Sequence, residues 1–387
     1  MSGIAVVCHP SLGGSGIVAT ELAVGLAKRG HRVHVITTAA LGRPLPPCPN
    51  MSLHIADTPD YPLFEHPPQL LALASAIARV CTEHAVDVLH VHYAVPHSTS
   101  AYLARQLLGS KRPALVTTLH GTDVTGIGTQ PAYQAITRMC VIESNAITTP
   151  SEFLRAEAQR VFALPNGRDI EVIANCVDTD HFAPLARRDP HYFDAFFPQA
   201  SSQEHVPTLL HVSNFRPVKR TRDLIDVLSV VNARSRARLV LVGEGPEREA
   251  CEQRALELGL RNAVSFLGAR PHISAYLQHA DAFLLTSQSE SFGLAALEAL
   301  SSGVPVLGYR VGGLPTVVTE DVGELVEPFD SAALAAAVSG VIDNPARRQT
   351  LARAARARAL SKFSMQPALE RYEQLFERVC AQTGDHA

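Results

Sequence analysis

Several classes of protein are excluded by what this sequence lacks. Its seven cysteines include no C-x-x-C pair and their number is odd, which favours a reduced cytoplasmic protein over a disulfide framework. No block of Lys and Arg stands out and the net charge is -3, so we expect neither nucleic acid nor a membrane surface as a stable partner. No apolar run approaches the ~20 residues of a membrane helix, and the N-terminus lacks a signal-peptide pattern.

Motifs of several catalytic classes are also missing. The sequence contains no H-E-x-x-H, no G-x-S-x-G elbow, no P-loop and no protein-kinase motif set. His90, His92 and His97 flank Tyr93, but no carboxylate with metal-ligand spacing accompanies them. We therefore expect no covalent hydrolysis, no ATP phosphotransfer, no metal and no other cofactor.

The composition is that of a folded α/β protein. Hydrophobic residues make up 46% of the 387 residues, a length that corresponds to two domains at about 150 residues each. Apolar runs alternate with helical patterns such as 17–29 and 98–108, which predicts parallel sheets with helices on both faces. The predicted strands are 4–8, 33–37, 86–91, 114–119 and 146–149 in the first half, and 208–212, 237–242, 263–267, 282–285 and 304–307 in the second.

The alternation of strands and helices stops once, in the proline-rich stretch 183–207. We predict two doubly wound, Rossmann-like domains that face a central cleft, a common place for a ligand. The predicted boundaries are 1–182 for an N-terminal domain, 183–207 for a linker or insertion, and 208–363 for a C-terminal domain. Residues 364–387 are expected to form a helix that packs back on the first domain.

Two loops at predicted strand ends could bind phosphate. Gly13-Gly14-Ser15-Gly16 follows the first strand and begins a helix, where backbone amides attract anions, although a plain tight turn is the alternative. The loop 213–220 carries Arg216, Lys219 and Arg220, which could clamp a pyrophosphate. A solvated basic loop is the alternative there.

Two further motifs could hold a sugar. Glu290 and Glu298 are separated by seven residues, and 291–294 are predicted to start a helix whose amides receive phosphate charge. Glu298, about two turns further on, could accept hydrogen bonds from ribose hydroxyls, or both could be surface glutamates of an ordinary helix. His120 follows strand 114–119 and points into the predicted cleft, or is a structural histidine.

Taken together, these motifs resemble the family 4 retaining glycosyltransferases and occur in the family's order, ending with Gly312-Gly313-Leu314-Pro315. Segments 8–22, 92–97, 117–123 and 211–216 look most like the members that transfer N-acetylglucosamine from UDP to L-malate in bacillithiol biosynthesis. The resemblance implies the GT-B fold, UDP-GlcNAc and L-malate as partners, and a metal-independent reaction. It also implies that the N-terminal domain 1–182 binds the acceptor and the C-terminal domain 208–363 binds the donor. Many family members carry Arg where this sequence has Asn214, five residues before Lys219.

The resemblance also implies roles for single residues, and L-malate as a dianion calls for positive charge in its pocket. The implied catalytic residues are His120, Lys219, Arg216 and Glu290. The implied donor-binding residues are Gly14, Gly16, Asn214, Ser291, Phe292, Gly293, Leu294 and Glu298. The proposed acceptor-binding residues are Ser15, Tyr93, Thr122 and Arg138.

Alternatives of other classes stay open on the sequence. The same fold could use a different small or lipid acceptor, such as inositol phosphate. A UDP-sugar epimerase shares the architecture, and a nucleotide-sugar-binding protein without turnover would carry the same donor motifs. The oligomeric state is also open, with a homodimer as one option.

Overall fold

The computed structural model describes residues 1–10, 13–58, 65–165, 167–197 and 204–384. These residues form two compact units, Met1–Cys176 with Met365–Ala387, and Val177–Ser364. Ser11, Leu12 and Pro198, which belong to the N-terminal resemblance and to the proline-rich stretch, lie outside the described residues. Each unit is built on one parallel sheet, so the predicted class of two doubly wound, Rossmann-like domains is confirmed.

The first unit contains a parallel sheet of seven strands in the order β3-β2-β1-β4-β5-β6-β7. The strands are β1 (Gly3–Val7), β2 (Arg32–Thr37), β3 (Met51–Ile55), β4 (Val88–His92), β5 (Ala114–Thr118), β6 (Ala146–Thr149) and β7 (Glu171–Val172). The helices are α1 (Gly14–Lys28), α2 (Gln69–Glu83), α3 (Thr99–Leu108), α4 (Pro131–Glu143) and α5 (Glu152–Phe162). Strands β1, β4 and β5 are buried at every residue because helices cover both faces.

The second unit contains a parallel sheet of six strands in the order β10-β9-β8-β11-β12-β13. The strands are β8 (Thr208–Val212), β9 (Arg238–Val242), β10 (Val264–Gly268), β11 (Ala282–Leu285), β12 (Val306–Tyr309) and β13 (Gly323–Val326). The helices are α6 (Thr221–Asn232), α7 (Arg248–Glu257), α8 (Ser274–His279), α9 (Leu294–Ser301), α10 (Leu314–Val317), α11 (Ser331–Ile342) and α12 (Pro345–Phe363). Side chains cap two of these helices, because Asp330 accepts from the amide of Ala333 and Asn344 from that of Arg347.

The last helix, α13 (Met365–Gly384), belongs to the first unit. Its Leu369, Tyr372 and Phe376 are buried in the same core as α1. A Cβ on Gly25 of α1 would lie 2.9 Å from the methyl groups of Leu369, so a glycine is required for the two helices to approach.

The order of strands reverses beside β1 in the first sheet and beside β8 in the second. Ligands of open α/β sheets bind outside the carboxyl ends of the strands at such a reversal. The predicted motifs follow β1, β4, β8 and β11, which flank the two reversals, and β5, which pairs with β4.

Most predicted elements are confirmed, with shifts at their ends. Strands β6, β8 and β11 occupy the predicted residues, whereas α1 begins at Gly14 instead of residue 17. The edge strands β3, β7 and β13 were not predicted, and neither were most of the individual helices, such as α2. In the part of the chain that the structure describes, no helix has the length and apolar character needed to cross a membrane.

Candidate active site

Lys219 and Glu290 meet at the carboxyl ends of β8 and β11, on either side of the reversal in the second unit. Lys219 ends a short 3-10 turn, Pro217–Lys219, and its Nζ lies 2.6 Å from Oε1 of Glu290. The hydroxyl of Ser287 donates to the same oxygen over 2.6 Å. The predicted cationic loop and the first glutamate of the predicted pair thus form one polar cluster.

Hydrogen bonds to the backbone hold this cluster in place. The hydroxyl of Thr286 donates to the carbonyls of Lys219 and Arg220 at 3.3 and 3.1 Å. The amide of Gly313 donates to the carbonyl of Glu290 at 2.7 Å. The glycine-rich segment that follows β12 is therefore joined to the same site, as the order of the motifs predicted.

The amides before α9 are presented by an unusual backbone. Gly293 has a φ of +98°, and a Cβ there would lie 2.7 Å from Cδ1 of Leu314, so only glycine fits without strain. The side chain of Phe292 is buried against Phe363, with ring centroids 5.9 Å apart, which leaves only its backbone for a ligand. The helix begins at Leu294, so the predicted helix start at 291–294 is wrong for its first three residues.

Glu298 lies closer to the start of α9 than predicted. It stands four residues after Leu294, about 6 Å along the axis at 1.5 Å per residue, and not two turns away. Only 6% of the residue is exposed, which excludes the interpretation as a surface glutamate. Ser291 is half-buried in the preceding turn.

The three cations of the loop after β8 have different surroundings. Arg216 is exposed, as is Asn214, whose carbonyl accepts from the amide of Arg216 at 2.7 Å. Arg220, at a φ of +47°, donates from Nε and Nη2 to Asp223 at 2.8 and 3.0 Å. Of the three cations predicted to clamp a pyrophosphate, Lys219 and Arg220 are thus paired with carboxylates and Arg216 is exposed.

Tyr93 and His120 lie at the ends of β4 and β5, next to the reversal in the first unit. Tyr93 has a φ of +87°, which is strained for a residue with a side chain. Its ring stacks on that of His120 with centroids 5.4 Å apart. A ring nitrogen of His120 lies 2.9 Å from Nδ1 of His92, so the two histidines are hydrogen-bonded.

Asp123 joins these two strand ends and was not singled out from the sequence. Its fully buried carboxylate accepts from the amides of Gly121 at 2.8 Å, His120 at 3.0 Å and Ala94 at 3.2 Å. Burial raises the pKa of Asp123 to about 6, and the backbone donors partly oppose that rise. The signal in the sequence was an Asp three residues after His120, since Asp often accepts from nearby amides in a turn.

The histidines around Tyr93 are uncharged near neutral pH. Burial lowers the pKa of His120 to about 3 and that of His97 to about 4. Burial also lowers the pKa of His9, whose ring contacts Tyr93 and His97 at centroid distances of 5.2 and 4.3 Å. His90 points elsewhere, toward Thr118, with 2.7 Å between the bonded atoms.

The remaining predicted residues of the first unit lie at helix starts or on α4. Gly14 begins α1 with no side-chain cap, and Ser15 and Gly16 complete its first turn. Thr122 is exposed in the turn after His120. Arg138 on α4 donates from Nε to the carbonyl of Phe162 at 2.7 Å and from Nη2 to the carbonyl of Ala163 at 3.3 Å, so part of its guanidinium stabilises the end of α5.

Comparison with known families and structures agrees with this arrangement. The family model described as Glycosyltransferase Family 4 matches residues 12–181, and the model described as Glycosyl transferases group 1 matches residues 193–358. Sucrose-phosphate synthase from Thermosynechococcus elongatus superposes with a TM-score of 0.81 over 99% of this chain and 100% of that chain, at 22% identity. Anabaena Alr3699/HepE in complex with UDP-glucose gives a TM-score of 0.77 over 98% and 100%, at 21% identity. These likenesses show the fold.

Relatives with higher identity show the family. The D-inositol 3-phosphate glycosyltransferase of Geodermatophilus obscurus is 30% identical over 90% of this chain and 81% of its own length. The N-acetyl-alpha-D-glucosaminyl L-malate synthase of Bacillus anthracis is 36% identical over 96% of both chains. Since this similarity extends over nearly the whole of both proteins, the chain belongs to the family 4 glycosyltransferases.

Proposed function

We propose that this protein transfers N-acetylglucosamine from UDP-GlcNAc to the hydroxyl of L-malate, with retention of the alpha configuration and without a metal. The reaction would be the first step of bacillithiol biosynthesis and would take place in the cytoplasm. The observation that carries the proposal is the 36% identity to the synthase of Bacillus anthracis over 96% of both chains. A UDP-sugar donor is compatible with the fold that the chain shares with HepE, which was solved in complex with UDP-glucose.

In this proposal the second unit binds the donor. Lys219 and the exposed Arg216 neutralise the diphosphate, together with the amides at the start of α9. Glu290, held by Ser287 2.6 Å away, accepts from the 3- or 4-hydroxyl of the sugar. The buried Glu298 accepts from the hydroxyls of the ribose, because a carboxylate can accept two such bonds.

The chemical step needs no carboxylate nucleophile. The bond between the sugar C1 and the diphosphate oxygen breaks as the acceptor hydroxyl approaches C1 from the same face. The new C1–O bond forms, and the acceptor proton passes to an oxygen of the departing diphosphate. Negative charge therefore grows on the diphosphate in the transition state, where the fixed ammonium of Lys219 stabilises it.

The acceptor is assigned to the first unit. A guanidinium has five N–H donors, and Arg138 uses one on the carbonyl of Phe162 and another on that of Ala163. The others can receive a carboxylate of malate, which Ser15, Tyr93 and Thr122 help to orient. The uncharged ring of His120 lines the sugar site near the 6-hydroxyl, and Gly14 and Gly16 let the phosphates approach the start of α1.

The test is release of UDP from UDP-GlcNAc by the purified protein in the presence of EDTA. L-malate, D-malate, D-inositol 3-phosphate and a simple sugar would be compared as acceptors, and the product linkage determined by NMR. Release with L-malate alone and an alpha-linked product would support the proposal. Preferential release with D-inositol 3-phosphate would replace the acceptor, and UDP binding without release would favour a non-catalytic protein. Light scattering on the same sample would distinguish a monomer from a homodimer.

A further inference from the structure

Three histidines converge on the first unit, in a place that the proposed reaction does not use. His34 lies on β2, His54 on the edge strand β3, and His84 directly follows α2. One ring nitrogen of each can be chosen so that all three lie within 4.8 Å of one another. His34 is buried, and the other two are half-buried.

The alternation of side chains along β2 explains why the three residues meet. Val33 and Val35 belong to the core that β2 shares with α1, whereas Ile36 belongs to the core that it shares with α2. His34 is two residues before Ile36 and so faces α2 as well. His54 is the register partner of Ile36 on β3 and takes the same face.

The ring geometry is close to that of a metal site. Nδ1 of His34 and Nε2 of His54 are 3.1 Å apart. Two nitrogens bound to one tetrahedral zinc ion, each at about 2.05 Å, are about 3.3 Å apart. The same contact requires a lone pair on one of the two nitrogens, so the two imidazoles are not both in the charged, doubly protonated form. The ring of His84 is stacked on that of His34 with centroids 4.3 Å apart, so it has to turn one edge inward to complete the set.

We propose that His34, His54 and His84 bind one divalent transition-metal ion, with Zn²⁺ the expected metal and water in the fourth position. Three imidazoles suit Zn²⁺ and also Co²⁺, Ni²⁺ or Cu²⁺, and one open position is compatible with a tetrahedral ion. A bound ion would tie the edge strand β3 and the end of α2 to β2. The ion would raise the free energy of unfolding and leave the transfer reaction unaffected, because β2 and β3 do not carry the residues assigned to that reaction.

The charges nearby are mixed. Arg32 and Arg79 disfavour a cation, and Glu83 favours one. Affinity is therefore expected to come from coordination by the imidazoles and not from a negative surface. Mutation of a residue that is only hydrogen-bonded to a metal ligand already lowers metal affinity about 10- to 100-fold. Mutation of one of the three ligands should therefore lower the affinity for Zn²⁺ at least about 100-fold.

The experiment uses the full chain without a histidine tag, stripped with EDTA and dialysed against Zn²⁺ alone. We expect one equivalent of bound zinc, a higher melting temperature, and a tetrahedral Co²⁺ absorption spectrum when Co²⁺ replaces Zn²⁺. His54→Ala and His84→Ala should lose the bound zinc and the increase in melting temperature. His66→Ala, at an exposed histidine of the same unit, is the matched control and should keep both.

Zinc binding and stabilisation that are equal in the wild type and in both ligand variants would overturn the proposal. So would an equal loss in His66→Ala, or the absence of any binding by the wild type. Circular dichroism without metal checks that the variants fold, and a variant that fails is replaced by His54→Gln or His84→Gln. Transfer activity in EDTA is expected to stay unchanged, so this test is independent of the proposed reaction.

Discussion

Replacement of Asp123 by Asn tests whether one buried carboxylate fixes the two strand ends of the first unit. Oδ1 accepts from the amides of His120 and Gly121, and Oδ2 from that of Ala94. An asparagine side chain has one acceptor oxygen and one NH₂ group, which cannot accept. If its oxygen stays with His120 and Gly121, the NH₂ group faces the amide of Ala94 and two donors oppose each other.

The cost follows from the burial of these groups. Ala94 is fully buried, so its amide cannot turn to solvent for a replacement acceptor. A buried donor without a partner costs about 1–3 kcal/mol. In a unit of roughly 200 residues, each kcal/mol lowers the melting temperature by about 2–4 °C. If about 1.4 kcal/mol of this loss appears in the transition state through misplaced Tyr93 and His120, kcat/KM falls about tenfold.

The assay combines thermal unfolding with UDP release in the presence of the best acceptor. The matched control is Asp169→Asn, at an exposed carboxylate that accepts from a single neighbouring amide. We expect Asp123→Asn to unfold at a lower temperature and to turn over more slowly, with the control close to the wild type. Wild-type stability and wild-type kinetics in Asp123→Asn would show that the carboxylate does not hold the strand ends.

Three further predictions concern the second unit. Lys219→Ala should lower kcat by about 10²–10³ because the leaving charge loses its cation, and near-normal UDP release would remove Lys219 from the reaction. Ser287→Ala should lower kcat because the loss of the serine hydroxyl lets Glu290 move, while the Kd for UDP, measured by calorimetry, should change little. A weaker affinity for UDP with a normal kcat would contradict this prediction. The hydrogen bond to Asp281 raises the pKa of His205 above its ordinary value of 6.5. The contribution of this pair to the free energy of unfolding is therefore fully present below pH 6.5 and is lost as the pH rises through the raised pKa. In urea unfolding, the free energy of unfolding of His205→Ala should therefore be lower than that of the wild type below pH 6.5, and the difference should shrink in alkali. A difference that does not change with pH would contradict this prediction.

The sequence predicts the central strands well and the edges poorly, for a physical reason. Strands β8 and β11 lie inside a sheet and are almost wholly buried, so their sequences are mostly apolar. The edge strand β3 leaves Leu53 and Ile55 exposed, and β7 has only two residues. Such strands are defined by pairing with a neighbour, which a local pattern does not reveal.

The residues of the site likewise divide into those with a local sequence signal and those that depend on contacts across the fold. Lys219 and Glu290 could be predicted because the motifs that contain them occur in the order typical of the family. Ser287 and Asp123 could not, because their importance depends on one short contact each makes across the fold. Arg220 had the residue type of a phosphate ligand, but only the structure shows that Asp223 holds it.

The charge balance at the strand ends of the first unit bears on the proposal of an anionic acceptor. His9, His97 and His120 lie in the segments that follow β1, β4 and β5, and burial lowers the pKa of each below 6.5. Near neutral pH these rings are therefore hydrogen-bonding groups without charge. A dicarboxylate has to be balanced by a group that is charged near neutral pH, and a guanidinium is such a group. Among the acceptor residues assigned here, only Arg138 meets this requirement, so its two bonds to the end of α5 also fix the position of the positive charge.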